Sequence, residues 1–497
     1  MAGVEFNTTV LLVTMIVYLA IMVSILVYFA RQEQDTVEVY SLGGRGLGWL
    51  PSAMSSMASQ SSGFIFIGLV GVGYTLGGFS TWYILGDALN AILLWTFFAW
   101  RLKKFSDHNK SIDLPDLLAD IYNDKGNWVR SITAIAMAIF MIGYVSSQCT
   151  SAAKTLGPLF NLDMNWGIVI AAALVLLYTV FAGYKGVVWT DTVQGFLMML
   201  IAFVTPVVAL KAVGGWGALQ AGLAGIDPMF LTARQAGPIA VSLAVAIGWF
   251  SVSFSTWGQG HVVTRIMGMD SLKGIKKAAL LSTFFCAFTR MTCVLTGMCA
   301  RVLFPNLSDP EASFPLILGT YFHPVIAGIA VMGVLAAVIT TADSQLLAAG
   351  TTIVRNIYQK MINKNASEEN LVKLTKWLMV IITIVCITFA IYAKGVVFYM
   401  VLFAYVGGGA ALGIPLFMGL FWKRANKYGA MAGCIVGLLT VCIWKLTGMS
   451  SVIHEGVPGL ILAALAVVIG SLLTKEDPYR IEQHNKIYGE KQVKDVN

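Results

Sequence analysis

The sequence predicts an all-α membrane protein that crosses the lipid bilayer many times. Of its 497 residues, 57% are hydrophobic and only 12% are charged, whereas soluble domains carry about 25% charged residues. The hydrophobic residues are gathered in runs long enough to span a bilayer as helices. Polar segments interrupt some of these runs at mid-bilayer depth, where lipid cannot satisfy exposed backbone groups. Such interruptions are typical of a transporter that encloses a solute site, and not of a membrane anchor.

The hydrophobic runs predict about thirteen transmembrane spans, which we number in chain order. The first run is long enough to cross the membrane and has no basic segment before it, so we interpret it as a span and not as a cleaved signal. The approximate bounds are 8–30, 48–76, 81–101, 128–156, 164–184, 188–212, 237–262, 278–304, 323–350, 371–392, 396–421, 428–447 and 456–474.

Lysine and arginine residues are concentrated in alternate loops, which predicts the orientation of the chain. The opposite loops contain little beyond Lys211, Arg234 and Lys394. We therefore expect a multi-pass protein of the cell membrane, inner or plasma, with its N-terminus outside and its C-terminus in the cytoplasm. The net charge of +8 fits basic loops against anionic lipid and does not indicate nucleic-acid binding. The basic residues assigned to the inner side are Arg31, Arg45, Arg101, Lys103, Lys104, Lys110, Lys125, Lys185, Arg265, Lys273, Lys276, Lys277, Arg355, Lys360, Lys364, Lys373, Lys423, Arg424 and Lys427.

The segments outside the spans do not predict an enzyme. We expect one transmembrane domain over residues 1–475 and a cytoplasmic tail over 476–497, which is too short for a kinase, cyclase or nucleotide-binding domain. The phosphate-binding pattern G-x-x-x-x-G-K-[ST] does not occur, which disfavours ATP-driven transport. In the loop 101–127, Asp113 followed by Pro115 predicts a short, capped amphipathic helix. The seven cysteines are predicted to be small buried hydrophobic residues without disulfides.

The second span contains a run of small polar residues over 55–63. These residues form helices poorly, and a break here would leave backbone carbonyls without a partner inside the helix. We predict that the break is buried in protein and faces a solute site.

The ninth span contains a second polar interruption over 340–345. On a helix, Thr340, Thr341 and Ser344 share one face, and Asp343 lies close by. Two adjacent hydroxyls together with unpaired carbonyls suit a small hard cation, which prefers oxygen ligands. The alternative is that the hydroxyls bond back to their own helix. Asp343 favours a functional interpretation, because a carboxylate inside the membrane is costly.

Three further charged residues are embedded in predicted spans. Asp191, near the start of span six, could serve the exit path of a cation or cap the helix N-terminus. Asp87 in span three and Arg290 in span eight are predicted to form a structural ion pair with each other or with polar neighbours.

Several segments together resemble the sodium:solute symporter family. The likeness covers nearly the whole chain, in the family's order, and is greatest with the bacterial sodium/proline symporter branch. The segments that carry it are 41–48, 59–63, 183–194, 257–261, 340–347, 421–430 and 440–445.

The resemblance implies the inverted-repeat fold of the leucine transporter. Spans two to eleven would form two five-helix repeats, over about 48–212 and 237–421, with broken helices at spans two and seven. The family's sodium site uses backbone carbonyls and two hydroxyls, and in this sequence the matching residues are Ala58, Ser61, Ala337, Thr340 and Thr341.

Two departures from the proline branch concern charge. Gln60 stands where the proline symporter has an acid in the first broken helix, and an amide adds no attraction for a cation. Asp343 stands where many relatives carry a hydroxyl. The resemblance therefore implies a possible second cation site formed by Asp191, Asp343 and Ser344.

The resemblance also places the organic substrate between the broken helices and span four. Tyr144, at the position of an aromatic gate, is the first candidate. An aromatic cage with a few amides suits a small zwitterion, although aromatic residues in spans usually serve packing. The further candidates are Gln60, Phe64, Ser147, Gln148, Trp249 and Trp257.

These expectations together predict a secondary symporter that imports a small organic solute, proline or a similar amino acid or carboxylate, with co-transported sodium. No covalent chemistry is required. The alternatives are a proton-coupled symporter that uses Asp343 and Asp191, sodium-coupled uptake of pantothenate, a monocarboxylate or choline, and a membrane sensor without coupled transport. The short tail disfavours the sensor.

Overall fold

The computed structural model describes residues 8–489, apart from 33–34, 161, 236 and 394–396. Within this part of the chain the regular structure is entirely helical, and the only β-type pairing is an isolated bridge between Leu47 and Met269. Eleven of the described helices are long and apolar enough to cross a membrane. The predicted all-α, multi-spanning fold is confirmed.

Each predicted span is helical. Eleven long helices account for thirteen spans because Phe64–Asn109 holds the second part of span two together with span three, and because Gly456–Leu472 has only 17 residues. The helices of the spans are Thr8–Ala30; Trp49–Gln60, Phe64–Leu69 and Val70–Leu76; Thr81–Leu93, Leu94–Phe98 and Ala99–Asn109; Trp128–Phe160; Met164–Val213; Ile239–Phe254, Ser255–Gly258 and Gly260–Met267; Ile275–Leu303; Pro324–Thr352 and Ile353–Ile362; Glu368–Ala393; Val397–Gly408, Gly409–Gly413 and Ile414–Phe421; Lys427–Leu446; and Gly456–Leu472.

Spans five and six follow each other almost without a loop. Gly183 divides the stretch Met164–Val213 with φ 58° and ψ −170°, a backbone conformation that residues with a Cβ rarely adopt. The short helices between the spans are Val37–Leu42, Gly43–Arg45, Gly77–Ser80, Leu114–Ile121, Trp216–Ile226, Pro228–Leu231, Leu272–Gly274, Pro310–Ala312, Ser313–Tyr321 and Met449–Ser451.

Spans two and seven are broken, as predicted. The first helix of span two ends at Gln60, and helical structure resumes at Phe64, so that residues 61–63 form what we call the break of span two. At Gly63 an added Cβ would lie 2.1 Å from the Ser151 hydroxyl, so only glycine fits between spans two and four. In span seven, the tight turn Ser255–Gly258 separates two helices, and the second helix runs to Met267, beyond the predicted end of the span at 262.

Span nine is not broken at its polar interruption, so the expectation of unpaired backbone carbonyls there is wrong. Pro324–Thr352 is a continuous helix through residues 340–345, and all six of these residues are buried. Hydroxyl and carboxylate side chains did not break the helix because they find partners in neighbouring spans and along their own turn, so the backbone ladder remains intact.

The loop helix between spans three and four differs from the prediction in one respect. Leu114–Ile121 begins at Asp113, whose carboxylate accepts a hydrogen bond from the Asp116 amide at 2.8 Å, as the predicted cap requires. However, every residue of this helix except Asp120 is buried. The helix is therefore amphipathic, as predicted, but its polar face contacts protein: Asp116 binds Arg130, and Asp120 accepts a hydrogen bond from Ser111.

The cysteines and the described part of the tail complete the fold. All seven cysteines are unpaired thiols, six buried and Cys442 half-buried, as predicted. The tail forms the helix Pro478–Tyr488, which packs against the spans. Arg480 Nη2 donates to the carbonyl of Gly419 at 2.7 Å, and the Tyr488 hydroxyl donates to the carbonyl of Arg101 at 2.8 Å.

Candidate functional site

Two hydroxyls of span nine face the end of the first helix of span two. The Thr340 hydroxyl donates to the carbonyl of Ala58 at 3.2 Å and to that of Ala337 at 3.1 Å. The Thr341 hydroxyl donates to the carbonyl of Ser59 at 2.8 Å and also to that of Ala337 at 3.1 Å. Both side chains are fully buried. Carbonyl and hydroxyl oxygens of the two spans therefore converge, which is the ligand chemistry that a hard cation prefers.

Four of the five residues predicted to bind sodium thus touch one another. Ser61, the fifth, lies one turn along span two, and its amide donates to the carbonyl of Ala58 at 3.1 Å. Its hydroxyl accepts a hydrogen bond from Arg290 at 2.7 Å. The Ser61 hydroxyl thus already faces one positive charge, which disfavours it as a ligand of a second cation and leaves the backbone carbonyl as the group to serve sodium.

The residues predicted for a second cation surround a buried arginine. Arg265 Nη2 donates to Asp191 Oδ2 at 3.1 Å and also to the hydroxyl of Ser344. Ser344 in turn donates to Asp343 Oδ1 at 3.3 Å. Among the described residues, Asp191 Oδ1 and Asp343 Oδ2 have no hydrogen-bond partner. Two carboxylates and one guanidinium therefore share a site from which water is excluded.

The prediction that Arg265 lies in an inner loop is wrong, because its side chain is inside the protein. Its side chain is 1% exposed, on the second helix of span seven. It also donates to the Ser55 hydroxyl at 3.0 Å and lies 5.2 Å from the centre of the Tyr184 ring. Asp191 lies inside the helix, about two turns beyond the kink at Gly183, and it pairs with Arg265 and Ser55, so it does not cap a helix N-terminus. The signal that could have revealed this is the spacing of His261 and Arg265, which are four residues apart on a continued helix.

Several predicted substrate residues surround the break of span two. The Tyr144 hydroxyl donates to the Ser62 hydroxyl at 3.2 Å, and the Gly63 amide donates to Gln148 Oε1 at 3.0 Å. Ser147 instead donates to the carbonyl of Tyr144 at 2.6 Å. Gln60 bonds within its own helix, where its amide donates to the carbonyl of Ser56 at 2.9 Å.

The aromatic candidates fall into two groups. The ring of Phe64 lies 5.7 Å from that of Tyr83, and Tyr83 lies 6.3 Å from Trp249, so these three rings form one cluster beside the break. Trp257 packs elsewhere, with its ring 5.2 Å from Phe98 and 5.0 Å from Phe417. The structure therefore does not bring Trp257 together with the other candidates.

The predicted ion pair between spans three and eight is present. Arg290 Nε donates to Asp87 Oδ2 at 2.6 Å, and both side chains are buried. The sequence did not indicate that Arg290 also reaches span two. Its Nη1 donates to the Ser61 hydroxyl at 2.7 Å, and its Nη2 donates to the carbonyl of Gln60 at 3.4 Å.

This geometry agrees with comparison to known sequences. The sequence model of the sodium:solute symporter family matches residues 40–437, about four-fifths of the chain. The chain belongs to the sodium:solute symporter family. This symporter is a multi-pass membrane protein, and sodium is its co-transported ion.

The related proteins of this symporter include bacterial proline carriers. It is 32% identical to a high-affinity proline transporter of Bacillus subtilis (strain 168), over 90% of this chain and 95% of that protein. It is 30% identical to the sodium/proline symporter of Escherichia coli (strain K12), over 94% of both chains.

Solved structures agree with the fold of this symporter. A Na+-coupled sialic acid symporter in a substrate-bound, outward-open state matches 94% of this chain and 98% of its own, with a TM-score of 0.80 and 22% identity. MhsT in complex with L-phenylalanine matches 85% of this chain and 98% of its own, with a TM-score of 0.54 and 15% identity. These likenesses confirm the predicted leucine-transporter type of fold.

Proposed function

We propose that this symporter takes up proline, or an amino acid very similar to it, together with sodium. The observation that carries the proposal is the contact of Thr340 and Thr341 with the carbonyls of Ala58 and Ser59. The printed names of the related proline carriers support the substrate class. The expected orientation, with the N-terminus outside and the C-terminus inside, remains part of the proposal, as do the two repeats over about 48–212 and 237–421.

In this proposal sodium binds where the two hydroxyls meet the end of the first helix of span two. The carbonyls of Ala58, Ser61 and Ala337 would provide three oxygens, and the hydroxyls of Thr340 and Thr341 would provide two. Each hydroxyl now donates to carbonyls, and with sodium bound it would turn its lone pairs to the ion. Because the ligands come from two spans, the ion would stabilise the break of span two in the arrangement that binds substrate.

The substrate would lie against the break of span two. Tyr144 and Gln148 already contact residues 62 and 63, and the rings of Phe64, Tyr83 and Trp249 provide an apolar wall. A pyrrolidine ring suits such a wall, while its charged groups require polar partners at the break.

Transport into liposomes tests this proposal. Purified protein in proteoliposomes should accumulate labelled proline when sodium is higher outside. Thr341→Ala should reduce the initial rate at least about tenfold, because a cation site loses one of its few oxygen ligands. Thr383→Ala is the matched control, since within the described part of the chain this buried threonine of span ten bonds only to the carbonyl of Met379 in its own helix.

The same assay separates the alternatives. The unpartnered oxygens Asp191 Oδ1 and Asp343 Oδ2 favour a proton as the second candidate for the driving ion. Uptake that persists without sodium and collapses with a protonophore would contradict the proposal and support proton coupling. Sodium-driven uptake of a different solute, with no uptake of proline, would contradict the substrate class only.

A further inference from the structure

We propose that Arg290 binds the carboxylate of the transported solute and so selects solutes that carry one. This inference rests on the proposed function for the place of the substrate, at the break of span two. It goes beyond that function in assigning a residue of span eight, which the sequence marked only as half of a structural ion pair.

The first argument is the geometry of the pair with Asp87. Carboxylates often bind arginine with both oxygens on two parallel N–H groups. Here only Nε of Arg290 donates to Asp87, at 2.6 Å from Oδ2. Among the described residues neither terminal nitrogen bonds to Asp87; Nη1 reaches Ser61 in the break of span two, and Nη2 reaches Gln60 just before it.

The second argument is the quality of the contacts at the break. Nη1 donates to the hydroxyl of Ser61 at 2.7 Å and to that of Thr289 at 3.0 Å, whereas the contact of Nη2 with the carbonyl of Gln60 is long, at 3.4 Å. These bonds use four of the five N–H groups of the guanidinium. One N–H of Nη2 thus has no acceptor among the described residues, and a carboxylate could accept from it and displace the long contact.

The third argument is charge. Asp87 and Arg290 are both nearly inaccessible to water, with 7% and 3% exposure, and together they are neutral. Asp87 also accepts a weak hydrogen bond from the thiol of Cys286 at 3.2 Å. Asp87 thus compensates the buried charge of the arginine while the site is empty. Gln60, next to the guanidinium, is an amide, so no side-chain carboxylate of span two competes with that of the solute.

The fourth argument is the surroundings of Arg290. The three residues of the break are bound by three different side chains: Ser61 by Arg290, Ser62 by Tyr144 and Gly63 by Gln148. A solute held between the aromatic rings and the break would therefore meet a hydroxyl, an amide and a guanidinium, and only the guanidinium matches a carboxylate in charge and shape.

The test compares a carboxylate with its amide. Binding of proline and of prolinamide to the purified protein is measured by thermal shift at saturating sodium, with lactate and lactamide as a second pair. Wild type should prefer the carboxylate of at least one pair by about 10- to 100-fold, the range expected for hydrogen bonds to a charged group. Arg290→Gln should lose this preference and still be stabilised by sodium alone.

The double variant Asp87→Asn/Arg290→Gln distinguishes recognition from structure. It removes both charges, so no unpaired charge remains buried. If Arg290 serves only to pair with Asp87, the double variant regains the preference for the carboxylate, and the inference is overturned. If Arg290 binds the solute, the preference stays lost. Arg290→Lys, which keeps the charge and removes the fork, should retain a preference reduced about tenfold.

The remaining outcomes separate this inference from the proposed function. A preference for lactate over lactamide that depends on Arg290, with no binding of proline, would contradict the proposed substrate and support the role of Arg290. Binding of proline and prolinamide with equal affinity to wild type, with no preference for lactate over lactamide, would overturn the role of Arg290 and leave proline as a substrate.

Discussion

Arg265 holds charged and polar side chains of three other spans. Its guanidinium binds Ser55 of span two, Asp191 of span six and Ser344 of span nine, and all four side chains are buried. Removing one partner of a buried ion pair leaves the other charge without compensation, which costs about 3–5 kcal/mol. Arg265 therefore contributes to stability through the charge of Asp191.

We predict that Arg265→Gln lowers the free energy of unfolding by about 3–5 kcal/mol. The measurement is thermal unfolding of the purified protein in detergent at neutral pH. The double variant Arg265→Gln/Asp191→Asn should recover most of this loss, because no charge is then left unpaired. Equal stability of the single and double variants would show that the pair contributes packing only.

At the residue scale, the sequence identified side chains whose chemistry is unusual for a membrane span. Thr340, Thr341, Asp191 and Asp343 stood out because polar groups are costly there. The sequence did not identify Arg265, because an arginine at the predicted end of a span is ordinarily a loop residue. Only the packing of the second helix of span seven against spans two, six and nine shows that it is buried.

At the scale of elements, the break of span seven packs directly on span eleven. A Cβ at Gly258 would lie 2.1 Å from the carbonyl oxygen of Gly408 and 2.8 Å from the amide nitrogen of Gly413. The two backbones are thus in contact, where span eleven itself forms the wide turn Gly409–Gly413. A side chain at this position must push the two spans apart.

We predict that Gly258→Ala lowers the free energy of unfolding by about 2 kcal/mol or more, because backbone atoms cannot move aside as a side chain can. Gly217→Ala is the control, since nothing lies within 4 Å of its Cβ and it sits in the exposed helix Trp216–Ile226. This control should be neutral or slightly stabilising. If thermal unfolding shows the same midpoint for both variants, the close approach of the span-seven break to the wide turn of span eleven is wrong.

The loop helix Leu114–Ile121 makes stability depend on pH. Burial, and then the charge of Asp116, raise the pKa of Asp113 and that of Asp120 to about 6. Asp116 itself is buried, but the charge of Arg130 outweighs this and lowers its pKa. A carboxyl group with a raised pKa binds its proton more tightly in the folded state. Its stabilising effect is therefore present below about pH 4 and is lost as the pH rises through 6.

We predict that the protein is more stable at about pH 5 than at about pH 7.5, and that Asp120→Asn reduces this difference by about half. At about pH 7.5 the variant should gain roughly 1 kcal/mol of unfolding free energy, because a buried charge next to Asp116 is removed. Glu369→Gln, at an exposed site, is the control and should leave the difference unchanged. Stability that rises with pH over this range would contradict the prediction.

Among the elements, the sequence predicted the break of span two correctly but not the continuity of span nine. Both segments are rich in small polar residues. Residues 61–63 break because Gly63 and its neighbours find side-chain partners in spans four and eight. Residues 340–345 stay helical because their side chains, and not their backbone, contact span two. This difference depends on partners in other spans and is invisible in a local pattern.

At the scale of the whole molecule, the number and order of the spans followed from the hydrophobic runs. The packing between them did not, because contacts between residues hundreds of positions apart decide it. Arg130, for example, binds Asp116 of the loop helix and also Asn356 of span nine at 2.8 Å. Such contacts bury a loop helix that its local pattern places at a surface.

The whole molecule also determines how sodium and solute influence each other. Sodium would bind spans two and nine, and the solute would bind the break of the same span two. We expect sodium to raise the affinity for the solute, and by thermodynamic linkage the solute then raises the affinity for sodium by the same factor, typically about 5- to 150-fold. Alanine substitutions remove the two threonine hydroxyls, and with them the side-chain oxygens that span nine offers to sodium.

The most direct test is the proline affinity of the purified protein without sodium and at saturating sodium, in wild type and in Thr340→Ala/Thr341→Ala. We expect the dissociation constant of wild type to fall by about 5- to 150-fold when sodium is added. We expect that of the double variant to change less than about twofold, because sodium then has too few oxygens to bind across spans two and nine. An equal fall in the folded double variant would contradict a sodium site at these hydroxyls.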